Sequence, residues 1–150
     1  MCIRDRNRAT GSLCKRLGIE DVLILDPPLF EFFLKDDDLG DPLINDEHIL
    51  SFGWANMDQI KEMKKQTYKV NEVLSKLFLD SGLLLVDFKV EYGVYNGKII
   101  LADEFTPDGC RLWDSQTMKK MDKDRFRQGL GDVVESYHQV ADRLGMNIET

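Results

Sequence analysis

The stretch from Leu83 to Glu91 constrains this chain more than any other. Leu83-Leu84-Leu85-Val86 is a continuous apolar run, the pattern of a buried strand. It passes directly into Asp87-Phe88-Lys89-Val90-Glu91, where charged and apolar residues alternate without a break. Side chains on a strand point to opposite faces in turn. Asp87, Lys89 and Glu91 therefore share one face, and Val86, Phe88 and Val90 share the other. Tyr95-Asn96-Gly97 follows as a turn and Lys98 to Glu104 as a second strand, so the unit is a β-hairpin.

The turn decides where Asp103 points. A two-residue Asn96-Gly97 turn pairs Tyr95 with Lys98 and Val90 with Asp103, which puts Asp103 on the apolar face. A three-residue loop with Gly97 left-handed pairs Val94 with Lys98 and sets Lys89 opposite Asp103, with Glu91 diagonal to it. The longer loop is the register expected here. In it, Glu91, Asp103 and Lys89 occupy one small area. Carboxylates held together repel unless a cation neutralises them. Mg²⁺ suits the pair, because it takes one or two carboxylates and completes its shell with water and phosphate oxygens. Lys89 would then meet an anionic substrate or stabilise charge in phosphoryl transfer. The competing reading is the polar face of a half-exposed hairpin.

The remaining chain reads as α+β, a mostly antiparallel sheet covered by helices. Asn56 to Asp80 is the strongest helix: Ile60, Met63, Thr67, Val70, Leu74 and Leu77 recur at steps of three and four. Asn56 is its expected N-cap and Gly82 its stop. A second helical region starts near Asp122, is interrupted at Gly129 and Gly131, and lines one face with Val133, Val134, Tyr137, Val140, Ala141 and Leu144. Val22 to Leu25, closed by Asp26-Pro27-Pro28, reads as a strand or turn entry, and Leu29 to Leu34 as a strand. Lys35 to Asn45 reads as an acidic loop without the spacing of an EF-hand. Arg6, Arg8, Lys15 and Arg16, with Arg4 just before, surround Thr10-Gly11-Ser12, either as a grip for a phosphate or carboxylate or as a solvated basic turn.

Composition narrows the function classes. The formal net charge of −7 argues against a general nucleic-acid binder, although a few convergent basic side chains can still hold a phosphate. Three scattered cysteines and two histidines, with no Cys-x-x-Cys pair, argue against a thiol-rich metal site or a disulfide framework. No apolar run is long enough to span a bilayer, and no secretory pattern opens the chain. The expected protein is soluble and cytoplasmic, with no membrane or nucleic-acid partner.

Several longer motifs share one resemblance. Val86-Asp87-Phe88-Lys89-Val90-Glu91-Tyr92-Gly93 resembles the second signature of the SAICAR synthetase (phosphoribosylaminoimidazole-succinocarboxamide synthase) family. Arg6-Asn7-Arg8-Ala9-Thr10-Gly11-Ser12 resembles the end of its first signature. Asp41 to Asn45, Ala102 to Asp108, Arg111 to Asp114 and Asp122 to Arg127 are similar to further family stretches, in the same order. The resemblance implies a two-lobed ATP-binding fold. It also implies an ATP- and Mg²⁺-dependent ligase that joins carboxyaminoimidazole ribonucleotide to L-aspartate in purine synthesis. Glu91 and Asp103 match the nucleotide and magnesium carboxylates, and Lys89 and Asp87 the adjoining active-site positions. Arg6, Ser12 and Arg111 match positions that hold the ribonucleotide. Asp108, Lys123 and Arg127 match the substrate pocket.

The match has limits. Tyr92 stands where the family usually has Phe. Residues 1–5 do not match the strand expected before Arg6 and read as a leader, with 6–150 as the family region. The family's N-terminal lobe, with its glycine-containing phosphate loop, has no counterpart here. The chain thus resembles roughly the C-terminal two-thirds of the enzyme, with an exposed apolar edge or face favouring a homo-oligomer. Two other readings stay open: a related kinase fold acting on inositol phosphates, and a non-catalytic binding module.

Overall fold

Strand β4 (Leu83–Tyr95) is the spine of the sheet, because it carries partners on both edges. The computed structural model describes residues 1–103, 105–127 and 129–146, with the side chains of Phe126 and Arg127 outside that description. On one edge, β4 pairs with β1 (Cys2–Arg8). Beyond β1 lie β2 (Ile24–Phe33) and the short β3 (Leu43–Ile44). On its other edge, β4 pairs first with β6 (Cys110–Asp114), over Leu83 to Phe88, and then with β5 (Lys98–Ala102), over Glu91 to Tyr95. Every pairing is antiparallel. The segment joining β5 to β6 fills the gap beside Lys89, whose backbone N–H donates to the Gly109 carbonyl at 2.7 Å.

One face of the sheet packs on the helix expected from its periodicity, α3 (Met57–Asp80). Asn56 caps it, and a reciprocal bond with Gln59 satisfies two of the free N–H groups at its start. Ile60, Met63 and Thr67 are buried against Ile3, Phe88, Val90 and Tyr92. Gly82 then reverses the chain at φ 72°, a conformation that suits glycine. The C-terminal helical region is split into α4 (Asp124–Arg127) and α5 (Val133–Arg143), and the latter buries Val140 and Ala141. Leu77 and Val134, assigned to the apolar stripes, face outward instead. No helix among the described residues is long and apolar enough to cross a membrane.

The structure corrects three local expectations. Residues 2–5, read as a leader outside the matching region, form the first part of β1, and Cys2, Ile3 and Asp5 are buried. β2 runs on through Asp26-Pro27-Pro28, because the prolines fall at the irregularity between Leu29 and Ile24 where the β1 ladder shifts. The hairpin turn is the shorter one. Tyr95 pairs with Lys98 and Glu91 with Ala102, since Asn96 and Gly97 both take positive φ, 49° and 75°. Two short helices were also not expected, α1 (Ser12–Leu17) in the basic turn and α2 (Asp46–Ser51) after the acidic loop.

Candidate active site

The face of the sheet opposite α3 is charged. Across β1 and β4, Arg6 lies opposite Asp87, Arg4 opposite Lys89 and Cys2 opposite Glu91. Across β1 and β2, Arg4 lies opposite Glu31. Asp87 is fully buried and gathers three arginines. Arg4 donates to Oδ1 at 2.9 Å, and Arg6 and Arg111 donate to Oδ2 at 2.9 Å and 2.7 Å. Each of the last two holds a second carboxylate: Arg6 Nε donates to Glu31 at 2.7 Å and Arg111 Nε to Asp124 at 2.5 Å. Glu31 also accepts from Arg16. Buried charge of this kind persists only when paired and hydrogen-bonded.

Local chain geometry brings the basic turn onto this face. Gly11 takes φ 62°, and a Cβ there would lie 2.9 Å from Arg111 Nη2. A side chain at position 11 would crowd the Arg111 guanidinium, whose Nε and Nη1 carry the bonds to Asp124 and Asp87. Ser12 follows at the rim of a cavity of about 250 Å³ lined by Cys2, Arg4, Arg6, Ser12, Phe33, Asp41 and Lys89.

Glu91 sits at the other end of the row. Lys35 Nζ donates to it at 2.8 Å, Lys89 Nζ lies at 3.2 Å, and Cys2 Sγ donates at 3.3 Å. Burial pushes the Glu91 carboxyl up, but the bonds from Lys35, Cys2 and Lys89 outweigh it and hold the pKa at about 2. Asp103 follows the end of β5, at a residue with φ 69°. Its charge acts on Lys35, the same ammonium that binds Glu91. The kink after Ala102 thus ends the ladder before Asp103 can pair with Val90, and the cross-strand Lys89–Asp103 pair expected from a longer loop does not form.

Asp108 and Lys123 meet each other, with Nζ 3.3 Å from Oδ2, and Tyr137 donates its hydroxyl to Asp108 at 2.8 Å. Burial and the adjacent Asp108 push the Tyr137 phenol well above its usual range. The side chain of Arg127 lies outside the described residues. The structure therefore joins Asp87, Arg6 and Arg111 directly, places Ser12 and Lys89 on one cavity with Arg6, and links Lys89 to Glu91. It adds residues that were not singled out as site candidates: Glu31, Lys35, Asp124 and Tyr137. Alternation within Leu29–Leu34 carried a signal for Glu31, since Phe30 and Phe32 occupy the opposite face.

The chain was compared with known proteins. The sequence model of the SAICAR synthetase family matches residues 3–144. A phosphoribosylaminoimidazole-succinocarboxamide synthase from Alcanivorax borkumensis is 63% identical over 144 residues, covering 96% of this chain and 60% of the relative. The crystal structure of a phosphoribosylaminoimidazole-succinocarboxamide synthase from Ehrlichia chaffeensis is similar with a TM-score of 0.93 at 42% identity, over 99% of this chain and 64% of that one. A SAICAR synthetase in complex with ADP is similar with a TM-score of 0.94 at 41% identity, again over 99% and 64%. The chain thus spans about 60% of the length of the curated relatives it matches.

Proposed function

Because this chain belongs to the SAICAR synthetase family, we propose that it forms the substrate and magnesium–nucleotide half-site of an ATP-dependent carbon–nitrogen ligase. The substrates are carboxyaminoimidazole ribonucleotide, L-aspartate and ATP. The carboxylate of the ribonucleotide attacks the γ-phosphorus of ATP, giving an acyl phosphate and ADP. The aspartate amine then attacks the acyl carbon, the amide C–N bond forms, the C–O bond to phosphate breaks, and the amine loses a proton. The observation that carries this reading is the cavity where Arg6, Ser12 and Lys89 converge beside the Asp87–Arg111 pair. These residues come from four separate segments, and together they offer a charged, partly desolvated anion site.

In this reading, Arg6, Ser12 and Arg111 hold the phosphate of the ribonucleotide. Asp108, Lys123 and Arg127 complete the substrate pocket. Asp87 acts through the arginines that it gathers. Lys89 faces the charge that develops when the carboxylate is activated. Glu91 and Asp103 are the residues that would hold Mg²⁺. Their fit rests on Lys35: one ammonium, with a side chain 56% exposed, already bonds Glu91 and feels the charge of Asp103. Two carboxylates acting on one exposed ammonium, beside the Glu91–Lys89 pair, suit a hard dication with a largely aqueous shell that would take the place of Lys35. When bound, the metal would neutralise negative charge on the nucleotide phosphates.

The test uses an enzyme of full family length containing this chain. Glu91→Ala or Asp103→Ala is expected to lower ATP-dependent amide formation by about 10²-fold or more. Unchanged turnover in both would contradict the metal assignment. Arg111→Ala is expected to raise KM for the ribonucleotide. Ribonucleotide binding by the 150-residue chain without turnover would favour the second reading, a binding module.

A further inference from the structure

We propose that Tyr137 is a positioning residue of the substrate site, and that its hydroxyl aims the Asp108 carboxylate at an N–H or O–H group of a substrate. The inference deepens the ligase reading, on which the place of Asp108 in the substrate pocket rests. It starts from a carboxylate that its own backbone would leave loose. Asp108 follows Pro107 at the tip of a turn closed by the Gly109 N–H, which donates to the Thr106 carbonyl at 2.9 Å. The base of the turn is fixed beside the charged strand, because the Lys89 N–H donates to the Gly109 carbonyl at 2.7 Å. The tip stands out from it: the Asp108 side chain is 56% exposed. A side chain so exposed moves among its rotamers unless bonds hold it. Tyr137 donates to Oδ1 at 2.8 Å, and Lys123 Nζ reaches Oδ2 at 3.3 Å.

The two holds differ in kind. Lys123 is itself partly exposed, and its ammonium ends a flexible stem. Tyr137 stands on α5, and its ring lines an apolar cavity of about 370 Å³ with Phe78, Pro107, Leu112 and Val140. Packing steadies the ring, and the hydroxyl is carried with it. Burial and the adjacent carboxylate keep the phenol protonated, so it stays a donor at working pH. A carboxylate held by such a donor is preset to accept from a substrate, and less freedom is lost on binding. The aspartate amine offers a suitable donor, and so do the amine and ribose hydroxyls of the ribonucleotide.

Steady-state kinetics of an enzyme of full family length containing this chain test the proposal, with calorimetric binding of L-aspartate and of the ribonucleotide to the same proteins. Tyr137→Phe keeps the ring and removes the hydroxyl. It is expected to raise KM for one of the two substrates about tenfold, the size of one lost charge-assisted hydrogen bond, with a smaller change in kcat. The substrate whose KM moves is the one that meets Asp108. Asp108→Ala is expected to move the same KM, and adding Tyr137→Phe to it to change that KM by less than about twofold. Both KM values unchanged in Tyr137→Phe, or effects of the two substitutions that multiply, overturn the proposal. Circular dichroism checks folding. If Tyr137→Phe is not folded, Tyr137→His against Tyr137→Leu gives the same comparison, with the donor-bearing histidine expected to keep the lower KM. Unchanged KM values in an enzyme that forms the amide remove Tyr137 and leave the ligase reading standing. No amide formation by the unaltered enzyme, with substrate binding that Tyr137→Phe weakens about tenfold, does the reverse. Binding of neither substrate overturns both.

Discussion

The two faces of strand β1 bury charge in different ways. Toward the cavity, Arg6 is almost fully buried, yet it meets Asp87 and Glu31 at hydrogen-bonding distance. Toward α3, Asp5 is fully buried between the backbone positions of Phe30 and Phe88. Asn71 donates to its Oδ2 at 2.8 Å, but its Oδ1 has no hydrogen-bond partner among the described residues. Burial therefore raises the Asp5 pKa from 3.8 to about 6, and the bond from Asn71 offsets only part of the rise. The difference shows that depth alone does not set the cost of a buried charge. Arg6 is held in a network of opposite charges, whereas Asp5 faces one neutral amide and the aromatic core.

The sharpest way to break this comparison is to remove the shared carboxylate. Asp87→Ala leaves Arg4, Arg6 and Arg111 without their common partner, and unfolding free energy in urea is expected to fall by about 3–5 kcal/mol. A loss under 1 kcal/mol would mean that the arginines find other partners. On the opposite face, Asp5→Asn is expected to stabilise the chain at neutral pH. The folded state binds the Asp5 proton more tightly than the unfolded state does. Stability from this group is thus fully present below pH 3.8 and is lost as pH rises through about 6. The gap between those two values corresponds to about 3 kcal/mol at pH 7 and above. Melting temperatures of both forms should converge in acid, separate between pH 4 and 6 and keep a constant gap from there to pH 8, and curves that stay parallel from pH 4 to 6 would refute the assignment. The smallest effect is expected at Gly11. Gly11→Ala forces a side chain into left-handed backbone and against Arg111, at a cost of about 1–2 kcal/mol in the same urea assay. An unchanged midpoint would show that Arg111 moves freely and is not held by the network.

Much of the scaffold was legible because it is local. The period of Ile60, Met63 and Thr67 and the cap at Asn56 define α3 in the chain and in the structure alike. The alternation of Asp87, Lys89 and Glu91 sets them on one sheet face, as their cross-strand partners Arg6, Arg4 and Cys2 show. The register of the hairpin was not legible, because Asn96-Gly97 accommodates either loop length and only the backbone conformation chooses between them. Nor was the place of Asp103, which depends on a kink after the last ladder pair. The segment of residues 1–5 failed for another reason. Arg4 and Asp5 look like surface residues by type, and the full burial of Asp5 and half-burial of Arg4 follow from β1 being inserted between β2 and β4.

Sequence by itself determined the elements that arise from neighbours: the long helix, the charged face of β4, and the segments that carry arginines and carboxylates. It also carried the family, through motifs spread along the chain. Only the tertiary structure decided which charges meet. Arg6 and Asp87 are 81 positions apart, and Arg111 lies 24 beyond Asp87. A side chain's period depends on the residues beside it. A shared ion pair depends on how separate strands pair, and that is set by the packing of the whole sheet on α3.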